Sequence, residues 1–216
     1  MNAPPRLRSH ALPLAVVPSQ HEGRGTIRSA SAALLWIDRP FAVTASHVVD
    51  QCLELRAADP KAEIWLGQMP IEDLRDRLLC MSERHDLATI RLQPEELVHL
   101  GDDCAFHNPI HWPTAAVEPG DELVVLGYPR DQWPAQVEYT FDVESTVERR
   151  FTAILRSARM PGRLAGLCGA PVFRRHDGER SFVGVVTETL FHNEVIRCQH
   201  ARHVDTCGRV TGTNAA

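Results

Sequence analysis

The chain has 216 residues and a mass of 24.1 kDa, with 44% hydrophobic residues, enough for one all-β unit or two small subdomains sharing a cleft. Its 23 Lys and Arg are scattered among 28 Asp and Glu, for a net charge of -5 and a pI near 6.1. No basic field is available to a phosphate backbone, so nucleic acid is not an expected partner. No apolar run reaches the length of a membrane span, so no membrane is expected either.

At the N-terminus, Arg6 and Arg8 followed by Ala11 to Val17 imitate a secretory signal, but Pro13 and Pro18 break the apolar stretch and no small-residue cleavage site follows. Residues 1–20 are therefore read as a flexible arm and the protein as cytoplasmic. Short β-branched or alternating runs come next, at 26–36, 41–49, 52–57, 63–67 and 87–92, then at 122–127, 137–144, 150–157, 171–174 and 182–190. Short, regularly spaced runs bounded by turn residues predict an all-β barrel or sandwich. Helical turns are expected at Glu95 to Leu100 and around Ala201 to Val204.

The proline-rich stretch Asn108-Pro109-Ile110-His111-Trp112-Pro113-Thr114 lies near the middle and reads as a connection between two units. It divides an N-terminal β-barrel, 21–110, from a C-terminal β-barrel and tail, 111–216. A cleft between such units is where a ligand site belongs.

Three segments carry chemistry. His47 ends the run Thr44-Ala45-Ser46-His47, Asp86 opens Asp86-Leu87-Ala88, and Cys168 sits in the glycine-flanked turn Gly166-Leu167-Cys168-Gly169-Ala170-Pro171. A histidine, an acid and a nucleophile in that chain order are the parts of a peptidase triad. Cys168 would attack a peptide carbonyl as the thiolate, the reactive form of cysteine. His47 would take the thiol proton and return it to the leaving amine, and Asp86 would hold the imidazole tautomer. His85 is expected on the opposite strand face from Asp86, toward solvent.

These segments resemble the trypsin-like (chymotrypsin-fold) peptidase family over roughly Gly25 to Val195. Arg39 to Val49 is similar to the strand leading into Thr-Ala-Ala-His, with Ser46 for the second alanine. Arg84 to Leu92 is similar to the family's Asp-Leu-Ala strand, and Val124 to Pro129 to the strand and turn opening the second barrel in bacterial members. Phe182 to Glu188 resembles the strand beside the substrate cleft. Two departures are Cys168, where the family's Gly-Asp-Ser-Gly-Gly-Pro turn has serine, and Ala170 for the second glycine. The resemblance implies two six-stranded antiparallel β-barrels with the active site between them. It also implies an oxyanion hole from the backbone N–H groups of Gly166 and Cys168, worth on the order of 3 kcal/mol per donor in the barrier. The pocket for the residue before the scissile bond maps by resemblance near Gly162 and onto Thr187, Glu188 and Thr189, with Glu188 a candidate partner for a basic side chain.

There are six cysteines: Cys52, Cys80, Cys104, Cys168, Cys198 and Cys207. With Cys168 as a working thiol the other five cannot all pair, which fits a reducing compartment. Cys104-x2-His107-x3-His111 and Cys198-x-His200-x2-His203-x3-Cys207 hold zinc-type ligands at close spacing, but neither has a paired CxxC arrangement. They are read as scattered residues, and neither metal nor cofactor is expected. The reading is a trypsin-like endopeptidase acting through a Cys-His-Asp triad and a thioester intermediate on a protein or peptide substrate. Its alternatives are a non-catalytic trypsin-fold binding module and the protease subunit of a larger assembly with a regulatory protein partner.

Overall fold

The computed structural model describes residues 10–19, 28–100, 105–109, 112–114, 116–130, 135–156, 164–190 and 194–211. The chain folds into two β units with the topology of a chymotrypsin-like double barrel. In the first, β1 (Ala11–Val17), β2 (Arg28–Trp36), β3 (Pro40–Thr44), β4 (Glu63–Leu66), β5 (Met69–Ile71), β6 (Leu78–Ser82) and β7 (Leu87–Arg91) make one curled sheet. Its strand order is β5-β4-β1-β2-β3-β7-β6. In the second, β8 (Glu122–Gly127), β9 (Val137–Val147), β10 (Arg150–Leu155), β11 (Pro171–His176), β12 (Glu179–Leu190) and β13 (Val195–His200) close a six-stranded barrel. Two barrels were expected; only the second is closed by hydrogen bonds among the described residues.

Alternation places the core. In β10 Phe151 and Ala153 point inward, and in β13 Ile196 and Cys198 do, so their neighbours Arg150, Thr152, Arg197 and Gln199 take the outer face. A second apolar cluster joins the units, with Leu35, Phe41 and Val43 of the first packed with Val124, Phe173 and Phe182 of the second. The tail returns across this junction. Thr89 of β7 donates its hydroxyl to the Gly208 carbonyl, and Arg39 bonds the Cys207 carbonyl at 2.8 Å.

Two expected elements are corrected. Residues 11–17, assigned to a flexible arm, form a strand buried between β2 and β4. Pro13, which argued for a break, lies just past the end of the β4 ladder, where its carbonyl still takes the Gly67 N–H at 2.8 Å. Residues 52–57, expected as a strand, belong to α1 (Ser46–Ala58), whose buried Val48, Val49 and Cys52 recur at helical spacing. A second, one-turn helix, α2 (Leu74–Arg77), precedes β6. The turn expected at 95–100 is a 3-10 helix over Pro94–His99, and a short one spans Ala201–His203. Among the described residues no helix is long and apolar enough to cross a membrane.

Candidate active site

The structure brings His47, Asp86 and Cys168 to the rim of one cleft of about 570 Å³ between the two units. His47 was expected at the end of a strand. Instead β3 stops at Thr44, and His47 is the second residue of α1. That helix begins at Ala45, which has no side chain to cap it, and carries no acid in its first turn. Asp86 supplies both from across the sheet. Its Oδ1 accepts the His47 N–H at 3.1 Å and the Ser46 hydroxyl at 2.9 Å, and its carboxylate accepts His47 Nδ1–H at 2.9 Å. An anion on the free N–H groups of a helix start is favourable, so the Asp86 carboxylate holds the backbone that carries His47 as well as its ring.

Asp86 itself sits in a turn, with φ of 48° and its N–H bonded to the Glu83 carbonyl, and β7 starts one residue later. Aspartate tolerates this left-handed conformation better than most residues. Burial pushes its carboxyl up, but the bonds from His47 and Ser46 prevail and hold it below the usual carboxylate range. His47 is raised to about 10, first by its hydrogen bond to Asp86 and then by the neighbouring Cys168. With Nδ1 on Asp86, Nε2 is the ring nitrogen left for the cleft.

Cys168 is half-buried, and its thiol donates to the Thr187 carbonyl of β12 at 3.7 Å. The turn around it is anchored in the first unit. Ser31 of β2 donates its N–H to the Cys168 carbonyl at 2.9 Å and its hydroxyl to the Gly166 carbonyl at 2.9 Å. The approach is so close that a Cβ on Gly169, at φ 87°, would lie 1.8 Å from the Ser31 carbonyl oxygen. The Ala165 carbonyl takes the Arg130 N–H at 2.7 Å and the Leu167 carbonyl takes the Ala170 N–H at 2.8 Å. In a trans peptide the N–H points opposite its carbonyl, so the Gly166 and Cys168 N–H groups are turned the other way. Among the described residues neither has a hydrogen-bond partner.

Of the expected pocket residues, Thr187, Glu188 and Thr189 line this cleft, whereas Gly162 lies outside the described residues. Glu188 is bound to Arg197 of β13 at 2.6 Å, which cancels the charge that a basic substrate side chain would need. His85 is corrected from exposed to buried: it lies in the turn before Asp86, bonds Ser82 Oγ at 3.0 Å and packs on the His203 ring at 4.8 Å. Of the possible zinc ligands, Cys104 and His111 lie outside the described residues. His107 packs between the rings of His10 and Phe173, Cys198 is in the barrel core, and among the described residues no three His, Cys, Asp or Glu converge on a metal position. Ser46 and Ser31 were not recognised as parts of the site. A hydroxyl beside the histidine was the one local signal; Ser31 had none, since Gly166 and Cys168, whose carbonyls it holds, lie 135 residues away or more.

No protein-family model and no curated protein matches the chain. Solved structures do. The Rv3671c protease of M. tuberculosis in its active form is 15% identical with a TM-score of 0.57, over 90% of this chain and 77% of that one. Its inactive serine-to-alanine mutant form gives 14% and 0.52, over 88% and 80%. The serine endoprotease of Yersinia pestis gives 14% and 0.56, over 90% of this chain and 59% of that one. The likeness is one of fold, the double barrel of the chymotrypsin-like proteases.

Proposed function

We propose that the protein is a peptidase that uses Cys168 as nucleophile, His47 as acid and base, and Asp86 as the orienting anion. The observation that carries this is the joint geometry of the cleft: an imidazole fixed on a carboxylate, a thiol in the same cleft, and two N–H groups, unpartnered among the described residues, in the turn that carries the sulfur. The sulfur attacks the carbonyl carbon while its proton rests on His47, and the oxygen charge that develops is received by the N–H groups of Gly166 and Cys168. Collapse of the tetrahedral species breaks the C–N bond as His47 gives its proton to the leaving amine. A thioester remains on Cys168. Water then attacks it, His47 takes the water proton, and the acid product leaves with the thiol restored.

The fold neighbours are proteases by name, which supports the reaction class. The cysteine variant of the chemistry rests on this chain's own residues. A fluorogenic peptide library assayed with wild type and with Cys168→Ala tests the reading: hydrolysis lost in the variant is expected, and equal hydrolysis by both refutes it.

A further inference from the structure

A buried polar group in the wall of the cleft does no work in the mechanism. Gln199 is only 2% exposed, lines the cleft that holds Cys168, and its Nε2 has no hydrogen-bond partner among the described residues. Buried amides are normally satisfied, so an orphan in the wall of a cleft calls for an explanation. Its neighbours point the same way. On the outer face of the barrel, Gln199 of β13 stands directly opposite Arg150 of β10, and Arg197 lies two residues earlier on the same face. The wall so formed borders the nucleophile through Thr187, whose carbonyl takes the Cys168 thiol and whose hydroxyl bonds the Arg197 carbonyl at 3.3 Å.

The charges around the cleft lean positive. Its acids are Glu83, Asp86 and Glu188, and two of them are committed, Asp86 to His47 and Glu188 to Arg197. Facing them are Arg84, Arg130, Arg150 and Arg197. Arg197 is itself held by Glu188, which leaves Arg84, Arg130 and Arg150 against Glu83 around the unpartnered amide.

We propose that Gln199, with Arg150 and Arg197, forms the subsite for the substrate residue preceding the scissile bond, and that it takes a side chain ending in oxygen acceptors, glutamate or glutamine. The proposal rests on the peptidase reading of the same cleft. A side chain that offers an oxygen satisfies the buried amide, and one that lacks it leaves the amide orphaned, which is how a polar site rejects an apolar analogue. A basic side chain meets guanidinium groups and is repelled.

The test separates the two readings because it measures binding without turnover. Product-like peptides of sequence acetyl-Ala-Ala-Ala-X with a free carboxylate, X being Glu, Gln, Ala or Lys, are titrated calorimetrically into full-length Cys168→Ala protein. Glu and Gln are expected to bind at least about tenfold more tightly than Ala, with Lys weakest. A Glu advantage over Gln that fades with salt assigns the discrimination to the arginines, and equal affinities assign it to the amide. Adding Gln199→Leu should flatten the Gln-over-Ala ratio, and Gln199→Glu should turn the preference toward Lys. A flat series, or a preference unchanged in both Gln199 variants, overturns the proposal. Graded binding together with no hydrolysis by wild type would remove the peptidase reading and leave the subsite standing.

Discussion

Asp86→Asn removes one negative charge and leaves a side chain of the same shape, whose carbonyl oxygen can still accept from Ser46 and from the His47 N–H. Asparagine also tolerates the φ of 48° at this position, so the fold should survive. What is lost is the anion on His47 Nδ1, the first cause of the rise of that imidazole to about 10. If the ring returns to the ordinary value near 6.5, its charged share at pH 7.5 falls from nearly all to about one part in eleven, roughly a tenfold loss of the acid that protonates the leaving amine. A misplaced tautomer adds to this, yet the total should stay below the roughly 10⁴-fold loss of serine triads, because a thiol needs less help to ionise. The assay is peptide hydrolysis against pH: the alkaline limb of wild type should lie near pH 10 and move acidward by a unit or more in the variant. A folded Asp86→Asn protein with an unmoved alkaline limb would refute the orienting role, and an unfolded one would mean that Asp86 chiefly secures the start of α1.

Iodoacetamide should label Cys168 ahead of the half-exposed Cys80 and Cys207, while burial raises Cys52 to about 12 and also pushes the Cys198 thiol up, so both stay unlabelled; peptide mapping that finds equal labelling, unchanged in His47→Ala, would sink the triad. Cys168→Ser should keep the fold and hydrolyse more slowly, since oxygen needs fuller proton transfer to His47; full-rate turnover in a fluorogenic assay would remove any special role for sulfur. Gly169→Ala should cost at least about 3 kcal/mol, seen as failure to fold or a large drop in melting temperature, because the new Cβ would strike the Ser31 carbonyl. Burial lowers His10 and His85, and lowers His107, His200 and His203 to about 4, so the unfolded chain binds protons that the folded one refuses. Melting temperature should therefore fall as pH drops from about 6.5 toward 4, and His203→Phe should lessen the slope, which calorimetry at stepped pH would detect. The His47–Asp86 pair works in the opposite window: its contribution is whole between the ordinary carboxylate value and pH 6.5 and is lost as pH rises through about 10.

The double barrel was legible because its strands are short, apolar and separated by turn residues, and because the glycines around Cys168 left a local mark. What was hidden depended on partners far along the chain. The run Leu53-Glu54-Leu55-Arg56 alternates as a strand would, and only the burial of Val48, Val49 and Cys52 on one side of α1 makes it helical. Pro13 argued for a broken arm because the sequence does not say where the β4 ladder ends. His85 read as solvent-facing on the assumption that the chain was already extended there, whereas the chain turns at Asp86 and seals His85 under His203. Gln199 was invisible for a related reason: glutamine in a strand is unremarked until Arg150 is placed across from it and its amide is found without a partner.

Ser31 of the first unit holds the Gly166 and Cys168 carbonyls of the second, and its oxygen also takes the Tyr128 N–H at 3.1 Å. One residue of β2 thus serves as the template on which the Cys168 turn is shaped. Neither half of the chain contains a weaker version of the site; each contains an incomplete one. Separation of the barrels would dismantle the turn at once, long before either barrel lost its own strands. Turnover should then vanish earlier in a denaturant titration than the β-sheet signal, and it serves as a gauge of how firmly the two halves are seated on each other.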